Sequence, residues 1–329
     1  MITHQTMMGA LKDQADNNVF HLVGTGGPLS GSSSRADYLP TGFNVAGFGS
    51  TYTDLTNGAV YVNEGTKTNL YWTPISYDQA GVLGWRSDFR DGVGKANSDT
   101  GATATIPGSG IRVFGSGIAE IDSGLAIAIA EDGAIGTLQA TATTGGLLAA
   151  LGVGITTSVP FQPDRHGPIV VDALCAQSAA ITTRRFFIGF LGTAADALAN
   201  PVTGSTITIT LVQDDLAGLT FDTDLTDADR LFAPHNKSDE AATILTTATG
   251  VDTGVDVAAA GTYQRFRVEI SAAGVMTCFV DKIQVTQISA SLDVDEEVAP
   301  VLLICAPTTA TKAMLVKYFG AWGVRASGV

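Results

Sequence analysis

The chain has 329 residues, of which 45% are apolar and only 15% charged, with 38 glycines. That length suits one large β domain with appendages or two ordinary domains, and the apolar share is enough for a sizeable core. With 32 acidic against 18 basic residues the net charge is −14, and no basic cluster is denser than Arg184–Arg185, which excludes nucleic acid as a direct partner.

In chain order, the opening MITHQTMMGALKDQADNNVF lacks the basic segment and long apolar stretch of a secretion signal. No apolar run reaches the roughly 18–20 residues that span a bilayer. The expectation is synthesis in the cytoplasm with no membrane insertion. Residues 1–48 are polar and glycine-rich and predict an extended N-terminal arm, with Met7, Met8, Leu11, Val19 and Phe20 as anchors for a partner. Residues 49–76 predict a small β-hairpin unit for oligomerisation or docking. There TYTD and AVYVN flank Thr56-Asn57-Gly58, whose Asn-Gly suits a tight turn, and Glu64-Gly65-Thr66 turns the chain again before Trp72. So small a unit is marginal alone in water and needs a neighbour to cover Tyr52, Tyr61 and Trp72. Residues 77–109 read as linker and loops.

From residue 110 to 329, strand-like runs recur between turn residues, among them PIVVDALCAQ, RRFFIGFLG, STITITLVQ, TYQRFRVEIS, GVMTCFVDKIQV and MLVKYFGAWGVR. In 205–213, Ile207, Ile209 and Leu211 alternate with threonines; in 263–270, Phe266, Val268 and Ile270 alternate with Arg265, Arg267 and Glu269. Ser271 to Gly274 then turns the chain back into a hairpin. Only LLAALGV and 194–200 read as short helices. About ten strands with few helices predict an all-β chain, a jelly-roll β-sandwich, in which the strand near Ile111 pairs with the last one. Cys175, Cys278 and Cys305 each sit in an apolar run and read as free thiols buried in strands.

Short catalytic motifs are missing: no G-x-S-x-G, no H-E-x-x-H, no P-loop and no G-x-G-x-x-G. Asp164 and His166 share a loop that favours a structural reading over a catalytic pair. Glu120 and Asp122 lack a further acid at strand spacing and read as a solvent-facing edge, where a polysaccharide hydrolase would need paired carboxylates. The expectations are no enzymatic activity and no cofactor. Asp222, Asp224, Asp227 and Asp229 form an oxygen-rich candidate calcium loop, although the spacing departs from an EF-hand and favours a solvated loop. SLDVDEEV (291–298) reads as a solvated connection, and Trp85 as an aromatic available for packing or for a sugar.

The residues Gly49, Ser50, Tyr52, Asp54, Asn57, Gly58, Tyr61, Asn63, Gly65, Thr66 and Trp72 together resemble a segment of tailed-bacteriophage virion proteins of the head-decoration, neck and fibre types. FQPDRHGPIVVDALC, RRFFIGFLGTAADAL and YQRFRVEISAAGVMTCFVDKIQV are similar to the lectin-like, concanavalin-type sandwich that accompanies it, so the resemblance covers about 49–325. In place of the Asp-Gly or Asn-Gly usual in that hairpin stand Ala273-Gly274 and Asp281-Lys282. The resemblance implies a capsid decoration, or cement, protein: a homotrimer on the outer surface of the virion, bound to the major capsid protein through residues 1–48. Tyr52, Tyr61 and Trp72 would then meet near the trimer axis. The alternative is a receptor-binding fibre or spike whose sandwich holds a host-surface saccharide.

Overall fold

The structure is a computed structural model that describes residues 10–12, 18–35, 37, 40–77, 79–89, 94–96, 104–105, 111–115, 124–130, 133–140, 147–153, 161–178, 184–192, 200–237, 244–246, 251–307 and 311–325. Its elements are strands apart from one four-residue helix, Pro163–His166. Among the described residues no helix is long and apolar enough to cross a membrane.

Alternation along the strands explains the stacking. In Gln264–Ile270, Phe266, Val268 and Ile270 enter the main core, leaving Arg265, Arg267 and Glu269 on the other face. This strand belongs to a front sheet with the order Ile283–Ile288, Met276–Val280, Gln264–Ile270, Ile169–Gln177, Lys312–Val324, Gly133–Ala140, Gly124–Ala130 and Gly94–Ala96; Val82–Ser87 also pairs with Lys312–Val324. A back sheet runs Ala104–Thr105, Ile111–Phe114, Leu147–Val153, Ala299–Ala306, Arg185–Leu191, Leu216–Asp222, Arg230–Phe232 and Asp252–Asp256. Val171, Ala173 and Phe266 of the front sheet meet Phe186, Ile188 and Leu219 of the back sheet in the main core. The fold is thus an all-β sandwich.

Each large sheet is covered on its second face as well. A small sheet of Val202–Ser205, Thr208–Leu211 and Ile244–Thr246 packs Ile209 and Leu211 against Phe187, Leu303 and Cys305 of the back sheet. On the other side lies an N-terminal sheet with the order Ala10–Lys12, Asn18–Gly24, Thr51–Asp54, Ala59–Asn63 and Trp72–Pro74, set against Val170 and Trp322 of the front sheet. The result is four stacked β layers. Neighbouring residues therefore enter different cores: Ala149 the main one and Ala150 the back one, as do Phe186 and Phe187.

Several expectations are corrected here. LLAALGV is the strand Leu147–Val153, held between Ile111–Phe114 and Ala299–Ala306, because the sheet pairing available there overrides the helical preference of Leu and Ala. The strand at Ile111 lies in the back sheet and Lys312–Val324 in the front one, so the two do not pair. Residues 77–109 are more than a linker, since Val82–Ser87 pairs along Phe319 to Val324. The described part of residues 1–48 is no free arm: Asn18–Gly24 runs parallel to Thr51–Asp54 and completes the sheet of the hairpin. Ile207 is 54% exposed, unlike Ile209 and Leu211, because the backbone turns at Thr206, where φ is 55°. Residues 194–199 of the second helical expectation lie outside the described residues.

The hairpin after Gln264–Ile270 forms as expected, with Gly274 at φ 73° in its turn. The next turn uses Asp281 and Lys282, both at positive φ, between the paired residues Val280 and Ile283. Cys175, Cys278 and Cys305 are free and buried. Burial pushes all three thiols up, Cys305 to about 11. Ellman's reagent at pH 8 is expected to leave the native protein unlabelled over minutes and to titrate three thiols in denaturant. Rapid labelling of the native form would contradict this packing.

A charged seam and its open margin

The neighbour that the hairpin requires is the front sheet of its own chain. Tyr52, Tyr61 and Trp72 project from one face of the N-terminal sheet and are 0%, 3% and 2% exposed. Tyr52 lies 6.0 Å from the Trp72 ring and 6.4 Å from that of Tyr61. The Tyr52 hydroxyl donates to the Gly26 carbonyl, and the Trp72 indole N–H to that of Thr41. Their surface is consumed within one chain, so it is not free to meet other copies on an axis, which corrects the expected trimer contact. Val19 and Phe20 are half-buried, Phe20 against this same cluster. Leu11 stands opposite Val19 in the strand pair at the sheet edge. Met7 and Met8 lie outside the described residues.

Where the aromatic contact ends, a polar seam begins. Asp172 is 1% exposed in the strand Ile169–Gln177, opposite Arg267 in the ladder. Its carboxylate accepts from Arg265 Nη2 at 2.8 Å, Arg267 Nη2 at 2.7 Å, the Tyr71 hydroxyl at 3.0 Å and the Tyr318 hydroxyl at 2.7 Å. Arg267, fully buried, also donates to the Trp72 carbonyl at 2.7 Å and to Thr73 Oγ1 at 2.9 Å, and its guanidinium lies 3.4 Å from the Tyr71 ring centroid. Arg265 reaches on to Glu64, which also pairs with Lys282 at 3.3 Å. Burial alone would raise the Asp172 carboxyl, yet the adjacent Arg267 and Arg265 hold it well below the usual carboxylate range.

A second tie sits along the next positions of the same strand. Glu269 is 1% exposed and accepts from Arg35 Nη1 at 2.7 Å and from the Ser30 backbone N–H at 3.1 Å. Arg35 is held in turn by Asp37 at 2.8 Å. Gln284 of the front sheet accepts from the Ser32 N–H at 2.8 Å. Among the described residues Asp172, Arg265, Arg267 and Glu269 each meet a group from residues 30–73, so the N-terminal sheet and the sandwich are one folded body.

The seam opens at one margin. Arg86 is exposed, with its guanidinium 4.8 Å from the Tyr318 ring centroid; Lys317 Nζ lies 4.5 Å from that of Tyr263; Tyr318, Tyr263 and Lys317 are half-buried. The outer face of the N-terminal sheet is half-buried among the described residues. It carries His21, Val23, Thr51, Thr53, Val60 and Val62, with Leu55 65% and Ile75 60% exposed beside them.

The remaining sequence candidates resolve into structure. Asp222 is buried and ion-paired with Arg185 at 2.7 Å, while it accepts the Asp224 N–H at 3.0 Å. Arg185 bonds Asp224 as well, and Asp227 and Asp229 face solvent. A guanidinium stands where a calcium ion would, and burial raises the Asp222 carboxyl in spite of it. Among the described residues no group of three or more His, Cys, Asp or Glu side chains could hold a metal. The favoured reading of a solvated loop describes Asp227 and Asp229, while Asp222 is held by its ion pair. His166 accepts the Gln162 backbone N–H at 3.0 Å and packs on Phe161, a structural role. Trp85 packs edge-on to Phe161 at 5.8 Å. Glu120 and Asp122 lie outside the described residues.

No protein-family model matches the chain, and no curated protein matches its sequence. Solved structures do match. A protein of unknown function from Shewanella oneidensis MR-1 is 12% identical, over 76% of this chain and 89% of that one, with a TM-score of 0.46. The carbohydrate recognition domain of Emp47p is 8% identical, over 73% of this chain and 97% of that one, with a TM-score of 0.42. A carbohydrate esterase of the Shiga toxin-encoding bacteriophage phi24B is 14% identical, over 66% and 91%, with a TM-score of 0.38. At such scores the likeness is one of overall architecture. A glucuronan lyase, an alginate lyase and a β-agarase are among the matches too. The expectation of no enzymatic activity is corrected by these matches, since enzymes stand among them and missing short motifs do not exclude chemistry.

Proposed function

We propose that the protein is a structural component of a tailed-phage virion, a homotrimeric decoration protein that binds the major capsid protein on the outer capsid surface. The resemblance of residues 49–72 motivates this reading, and one observation carries it. Among the described residues the outer face of the N-terminal sheet is rich in β-branched side chains and carries no carboxylate, with Leu55 and Ile75 exposed, in a chain of net charge −14. Such a face loses little on desolvation and is a natural contact for another protein. The seam holds that face rigidly on the sandwich, so attachment costs little ordering. Three copies acting together would stabilise the shell through avidity with no strong single contact.

Cosedimentation with capsid shells of the phage that carries the protein tests this. Wild type is expected to pellet with the shells, and Val60→Lys combined with Ile75→Lys to lose at least tenfold in affinity at an unchanged melting temperature. Shells that bind neither form, or both equally, would remove the reading. Binding to host saccharide without binding to shells would favour the fibre alternative.

A further inference from the structure

We infer that the open margin of the seam, formed by Arg86, Lys317, Tyr318, Tyr263 and Arg265, binds a carboxylate-bearing polysaccharide. The inference does not rest on the capsid reading, since it concerns a different face. The chain carries 32 acidic residues against 18 basic ones, yet this margin gathers Arg86, Arg265 and Lys317, with Lys282 beside them. The carboxylates nearby are engaged: Asp172 with Arg265, Arg267 and two tyrosines, Glu64 with Arg265 and Lys282, and Asp281 with the Arg265 backbone N–H at 2.9 Å. Among the described residues no carboxylate pairs with Arg86 or Lys317. Each is instead held over a tyrosine ring, at 4.8 and 4.5 Å, which limits the freedom it would lose on meeting an anion.

The backbone builds this arrangement. The register between Ile169–Gln177 and Lys312–Val324 shifts where Leu174 and Cys175 pair with Tyr318 and Val316, so Lys317 is an extra residue beside Tyr318. On the opposite side, the partner of Lys312–Val324 changes from Gly133–Ala140, ending at the pair Gly136–Val316, to Val82–Ser87, starting at Ser87–Phe319. Lys317 and Tyr318 stand in that interval, next to Arg86. A two-residue interval is too short for a peptide strand to add, which disfavours an acidic polypeptide. A net charge of −14 disfavours nucleic acid. A stiff acidic polysaccharide repeats its carboxylates along one chain and can meet Arg86 and Lys317 together.

Affinity electrophoresis of the full chain in gels containing polygalacturonate tests this, with dextran and poly-glutamate gels in parallel. Polygalacturonate is expected to retard wild type, less so as salt rises. Arg86→Glu with Lys317→Glu is expected to weaken binding at least tenfold at an unchanged melting temperature. Should that double variant fold poorly, Arg86→Ala, at an exposed position, is expected to weaken binding several-fold. Absence of retardation, equal retardation by dextran or poly-glutamate, or wild-type binding by a folded variant would overturn the inference.

Discussion

Asp172→Ala is expected to lower stability by about 3–5 kcal/mol, because it leaves a buried and a half-buried guanidinium side by side with their shared carboxylate gone. Arg267 suffers most: it is fully buried, and Asp172 is its ion-pair partner. Arg265 is half-buried and retains Glu64. Tyr71 and Tyr318 lose an acceptor as well. Urea denaturation at pH 7 measures the loss, and a change below about 1 kcal/mol would show that the seam is not a closed ion pair. Replacing Asp172 and Arg267 together with leucine and methionine is expected to cost less than the two single changes summed, because no charge is left stranded. The pH dependence has a fixed sign. Arg267 and Arg265 place the folded Asp172 carboxyl below its unfolded range, so its contribution is complete above about pH 4 and fades as pH falls further. The alanine variant should therefore lie closest to wild type in acid.

The second large effect is expected on deleting residues 1–76. The cut uncovers Trp322 and Val170, now 3% and 2% exposed, and strips Glu269 of Arg35 and the Ser30 N–H. Re-exposing those two side chains alone costs roughly 3–6 kcal/mol at 1.5–3 kcal/mol each. The melting temperature should fall by about 10 °C or more, and the product should self-associate through the new apolar patch. Calorimetry with light scattering reads both. An unchanged melting temperature would mean that the N-terminal sheet is an independent unit. If wild type has the proposed trimeric mass and the deletion product keeps it, the oligomer contact lies on the sandwich.

How far the sequence disclosed this arrangement depended on whether a face had one environment. Gln264–Ile270 was legible because its apolar residues share a core and its charged ones do not. Leu147–Val153 was not, since Ala149 and Ala150 are both buried in different cores, which erases the period-2 contrast and leaves only helical propensity. The hairpin at 51–63 was recognisable from its turn residues, and its need for cover from Tyr52, Tyr61 and Trp72. What covers it was hidden, because Val170 and Trp322 lie more than a hundred residues away and nothing local marks them as partners. The seam was hidden for the same reason: Arg265, Arg267 and Glu269 read as a polar face, and only long-range pairing with residues 30–73 makes them interior. At Asp222 to Asp229 the acidic loop was legible and its partner was not, since Arg185, which pairs with Asp222 and Asp224, comes from a distant strand.

The pairing of Lys312–Val324 also constrains folding in time. This strand sits between Ile169–Gln177 on one side and both Gly133–Ala140 and Val82–Ser87 on the other, and it brings Trp322 and Tyr318 to the seam. The middle of the front sheet thus remains open until a segment that follows all of its partners in chain order has been synthesised. Until then the charged face of Gln264–Ile270 and the aromatic face of the hairpin lack a complete partner. So high a contact order predicts slow closure and a long exposure of strand edges, a window in which a chaperone or a growing assembly can capture the chain.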